Sequence, residues 1–79
     1  MAMTIYVLGF WDGENLMPVG FHRDPDVAKS SAKQLSTDFS DTIMVQMWKE
    51  YDPKAKVHFD TPVALFKRGE ELDLKGLTG

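Results

Sequence analysis

Cysteine is missing altogether from these 79 residues. That excludes disulfides and thiolate zinc sites, which often reinforce chains this short. Long apolar runs are missing as well: none approaches the roughly 18 residues that a membrane span requires. The opening MAMTIYVLGF also lacks the basic flank and small-residue cleavage site of a secretory signal. A cytoplasmic protein with no membrane partner is the expectation. Positive charge is scarce, with nine Lys and Arg against twelve Asp and Glu and a formal charge of -3. Nucleic-acid backbone binding needs a local excess of cations, so it is disfavoured. Lys29 with Lys33, Lys54 with Lys56, and Lys67 with Arg68 make only small basic spots, and these carry nucleic-acid binding as an alternative reading. The acids stand in scattered pairs, Asp12 with Glu14 and Asp24 with Asp26 among them, as in solvated turns and helix starts.

Catalytic patterns are absent too. No glycine-rich phosphate loop or nucleophile elbow occurs, and Ser30, Ser31, Ser36 and Ser40 fall on a helix or in a loop. His22 with Asp24 and His58 with Asp60 repeat a His-x-Asp spacing that puts both residues on one face of a strand. Asp24 is better explained as a helix cap, and strand histidines are usually plain surface. The expectation is a non-enzyme with no catalytic residue, no cofactor and no metal.

What the chain does have is apolar residues, 43% of it, for one small domain. A core of that size supplies only about 3 to 5 kcal/mol of net stability, which makes a second copy of the chain a natural reinforcement. TIYVLGFW, rich in β-branched and aromatic residues, runs into Asp12-Gly13 and returns as NLMPVGF, a hairpin whose second strand is an edge because Pro18 cannot donate to a ladder. Asp24-Pro25 then starts a helix to about Leu35 or Ser36, with Ala28, Ala32, Leu35 and Phe39 recurring on one stripe and Val27 and Ser31 beside them. TIMVQMWKE alternates as a third strand and VHFD pairs back as a fourth. Beyond it, Thr61, Pro62 and Gly69 frame a short helix PVALFKR, favoured over a hairpin VALF-KRGE-ELDL.

These elements predict an α+β fold, ββαββ. A single antiparallel sheet of four strands in the order 2-1-3-4 carries one helix on one face, with a short C-terminal helix. The ordered core spans about 3–69, and 70–79 form a loose tail. If Ile43, Val45, Met47, Val57, Phe59, Met17, Val19 and Phe21 face the helix, the other face holds Met44, Trp48, Leu16 and Pro18. It also holds one set from strand 1, either Tyr6, Leu8 and Phe10 or Ile5, Val7 and Trp11. Both faces are then apolar, so the second is either covered by Val63–Leu74 or is an interface. Trp48, Met44, Trp11, Leu16 and Tyr6 are the candidate partner-binding residues, for another protein or for a homodimer.

The layout TIYVLGFWDGENLMPVGF, DPDVAKSSAKQL, TIMVQMWKE resembles the small hairpin-helix-hairpin proteins common in phage genomes and among uncharacterised bacterial proteins, some of which are anti-CRISPR proteins and other inhibitors of host machinery. The likeness covers about Thr4 to Asp60 and carries over no functional residue. It implies a non-enzymatic protein that acts by occupying a partner's surface.

Overall fold

The chain runs β1 (Met3–Trp11), β2 (Leu16–His22), α1 (Pro25–Phe39), β3 (Thr42–Asp52), β4 (Val57–Lys67) and β5 (Glu70–Leu72). The computed structural model describes residues 3–52, 54 and 57–74, less the side chains of 50, 51 and 57–59. All strands join one antiparallel sheet ordered β2-β1-β3-β4-β5. The first four stand in the expected order, and the fifth is a correction. In place of a helix over 62–68, β4 continues to Lys67 and turns through Arg68 (φ 51°) and Gly69 (φ 82°). Two central residues at positive φ make the tight hairpin turn that suits the twist of paired strands, and Lys67 then pairs with Glu70. Residues 70–72, expected in a loose tail, are therefore β5, while 75–79 lie outside the described residues.

The helix starts as its cap dictates. Asp24 is extended (φ -97°, ψ 123°), and its carboxylate accepts the Asp26 N–H at 2.8 Å and the Val27 N–H at 3.4 Å, with Pro25 entering the first turn. Its end lies beyond the expected Leu35 or Ser36, at Phe39, followed by left-handed Ser40 (φ 51°). Ser36 and Thr37 look like loop formers in sequence, yet both hydroxyls donate to the Lys33 carbonyl inside the helix, at 2.8 and 3.1 Å. The extra turn carries Phe39 edge-on to Phe10, with ring centres 5.9 Å apart.

The core lies between α1 and one sheet face. Ala28 and Ala32 of the helix meet Leu8, Ile43, Val45, Ala64 and Phe66, with Tyr6, Phe10, Leu35 and Val63 at the margins. Alanine on both layers lets the helix sit close to the sheet, which is why a narrow stripe suffices.

Two bulges decide which side chains reach that core. Gly9 pairs with Pro18 but Leu8 pairs with Gly20, leaving Val19 as the extra residue; Val45 pairs with Ala64 but Gln46 pairs with Pro62, leaving Val63. One extra residue inverts the facing of everything beyond it. Met17, opposite Phe10, stays on the helix side as expected. Phe21, expected there too, pairs with buried Val7 and stands on the other face. Of Val63–Leu74, the part up to Leu72 does not fold over that second face, because 63–67 belong to β4 and 70–72 to β5. Every described element other than α1 is a strand of this sheet. Among the described residues no helix is long and apolar enough to cross a membrane.

Candidate interaction face

Strand alternation sets the second face. β1 places Ile5, Val7 and Trp11 there, so of the two sets considered this is the one opposite the helix, and Tyr6, Leu8 and Phe10 belong to the core side. Tyr6, a candidate contact from sequence, is thereby removed from the face. Ile5, Val7, Met44 and Leu65 form a floor with 6% exposure or less. Met44, a candidate contact from sequence, is 1% exposed and part of that floor. Above the floor stand half-buried Trp48, Trp11 and Leu16, with Pro18 and Phe21 exposed. The Trp48 indole N–H donates to Gln46 Oε1 at 3.1 Å, and the Gln46 amide reaches Met44 Sδ at 3.6 Å. That chain fixes the indole on its strand.

Two grooves cross the face. One, of about 450 Å³, has an apolar floor of Ile5 and Val7 beneath Phe21, Pro18 and Trp48, with Arg23 at its rim. The other, of about 470 Å³, runs between Trp11, Leu16 and Pro62, with Glu14 and Asp60 at its rim. Pro18 and Trp48 line both and divide them. A third hollow of about 480 Å³ wraps round the β1–β2 turn between Met17, Trp11 and Asp41.

Exposed apolar side chains gather at the same edge. Met17 is 66% exposed, Val19 47% and Phe21 62%, all on the edge strand β2. Val27 and Phe39 are exposed on α1. Sequence reasoning missed Phe21 and Arg23. The signal was Pro18 with Gly20 around Val19, an irregular strand that suggests a bulge and hence a change of facing.

The turn between β1 and β2 is held by Asp12, whose carboxylate accepts the Asn15 N–H at 2.7 Å and the Glu14 N–H at 2.8 Å. These bonds favour the ionised form, so the Asp12 pKa lies below its ordinary value, the Asn15 bond being the larger cause.

The chemical alternatives find little geometry. Ser31 Oγ lies 3.3 Å from His22 Nε2, but among the described residues no carboxylate bonds the other nitrogen of the ring. Asp24 is engaged as the cap, the His58 side chain lies outside those described, and no described group of three or more His, Asp or Glu is placed to hold a metal ion. Lys29 and Lys33 border a groove of about 240 Å³ that Glu71 shares, and Lys56 lies outside the described residues. No protein-family model, curated protein or solved structure matches the chain.

Proposed function

We propose that this protein is a non-enzymatic protein-binding module that docks a partner chain on the second sheet face, along Leu16, Pro18, Phe21, Trp11 and Trp48. One observation carries the reading: an apolar face with two grooves has no described element over it and is rimmed by a 62% exposed phenylalanine. Contiguous apolar surface of this kind on a small domain marks an interaction site. Aromatic side chains divided by grooves are the usual anchors of such sites. Occupying a partner's surface is also how the small phage-type inhibitors act whose layout the chain resembles.

Affinity capture from the native cell, with the wild-type chain and a Leu16→Asp, Phe21→Asp variant as baits, tests this. The reading expects a protein, an untagged copy of this chain included, that the wild type retains and the folded variant loses. Identical protein sets on both baits would overturn it.

A further inference from the structure

Flanking β2, the second face carries opposite charges at its two ends, with Asp60 a further acid across the sheet on β4. Arg23 rims the groove beside Phe21, and Glu14 rims the one beside Leu16. Neither side chain makes an ion pair or hydrogen bond with the described residues. The strand between them, Leu16–His22, separates them by about 20 Å at roughly 3.3 Å per residue, so they cannot pair within one chain. Between the charges lie Phe21, Pro18 and Leu16.

A face with this order, cation, apolar middle, anion, is complementary to itself when turned end for end. A twofold axis lying between two stacked sheets, perpendicular to their strands, lays β2 over β2 of the other copy and exchanges the ends. Arg23 of each copy then meets Glu14 of the other, while the apolar middles face each other as in a sheet-on-sheet core. Turned the other way, about an axis along the strands, neither charge finds its opposite on β2. Pairing of β2 edge to edge is less suited, because Pro18 lacks an N–H and the Val19 bulge interrupts the ladder.

We propose that the occupant of the second face is a second copy of this chain, stacked face to face with its ends exchanged and held in register by two Arg23–Glu14 pairs. The inference rests on the reading of that face as a protein interface and names its partner. Charge pairs at the rim of an apolar interface set its register and orientation more than its affinity.

Sedimentation equilibrium of the wild type, Arg23→Glu, Glu14→Arg and the double variant tests it, with circular dichroism melts to establish that each is folded. The wild type is expected to be a dimer at micromolar concentration. Each reversal places like charges together twice in the dimer and should weaken it about tenfold or more, whereas the double variant restores opposite charges and should return to within about threefold of wild type. A wild type that stays monomeric, or a folded double variant no better than the single ones, overturns the inference. If the chain is monomeric yet a different protein is captured through Leu16 and Phe21, the inference fails and the binding reading stands. If nothing is captured and nothing dimerises, both fail.

Discussion

The backbone N–H of Gly69 donates to Ser36 Oγ at 2.9 Å, joining the β4–β5 turn to the last turns of the helix across 33 residues. Ser36 is fully buried, and its own hydroxyl proton goes to the Lys33 carbonyl, so one side chain satisfies the turn and the helix together. Replacing Ser36 with Ala leaves the part-buried Gly69 N–H without this partner, which costs about 1 kcal/mol. Denaturant melts should show that loss, and amide exchange at Gly69 should accelerate more than at its strand neighbours.

Gly9 faces the backbone of Met17 at the first bulge. A Cβ there would collide with the Met17 carbonyl oxygen and lie 2.7 Å from its carbon and 2.9 Å from Pro18 Cα. Backbone atoms cannot swing aside as a flexible side-chain end can. Gly9→Ala should therefore cost about 1 to 3 kcal/mol and disturb the pairing of Gly9 with Pro18. Backbone chemical shifts of β2 would report the second effect. Gly20→Ala is the control, since a Cβ at 20 meets open space.

The first hairpin and the start of the helix were legible because single residues specify them: Asp12 with Gly13 for the turn, Asp24 with Pro25 for the cap. The C-terminal region was misread because Pro62 and Gly69 mean different things in a helix and in a sheet. Pro62 fits a strand here because β5 pairs only with Leu65–Lys67, leaving β4 an edge at position 62. Gly69 serves a turn, where a Cβ would also lie 2.7 Å from Thr37 Oγ1. The site was half legible. Trp48 and Leu16 follow from strand alternation alone, whereas Trp11 belongs to one of two sets that alternation leaves open, and Phe21 depends on the extra residue Val19, since alternation does not reveal a bulge.

Acid should weaken the first hairpin. The folded-state pKa of Asp12 is held below its ordinary 3.8, so the stabilisation from its two accepted N–H bonds is complete above that value and is lost as pH falls through the lowered one. Asp12→Ala should lower the melting temperature at neutral pH, and the gap to wild type should narrow as the pH is taken below 3.8. A gap that is constant with pH would mean the carboxylate bonds contribute nothing.

Trp48 stands between the two expectations for a core residue and a surface one. It is half-buried and lines both grooves over buried Met44. Trp48→Ala should cost about 1 to 2 kcal/mol, less than the roughly 3 to 5 of a fully buried aromatic, while binding weakens by about 2 kcal/mol or more. Urea melts beside a binding measurement separate the two effects.

The face as an interface is tested most directly at Phe21, through its effect on stability and on association in one variant. Phe21→Ser removes a ring that is 62% exposed on the isolated chain. The stability of the monomer, measured by denaturant at a concentration too low for association, should stay within about 0.5 kcal/mol of wild type. Association by sedimentation or with the captured partner should weaken about tenfold or more. Loss of about 2 kcal/mol or more of monomer stability would show the ring packed in a core, and unchanged association would show it outside any interface; either result contradicts the proposed role of this face.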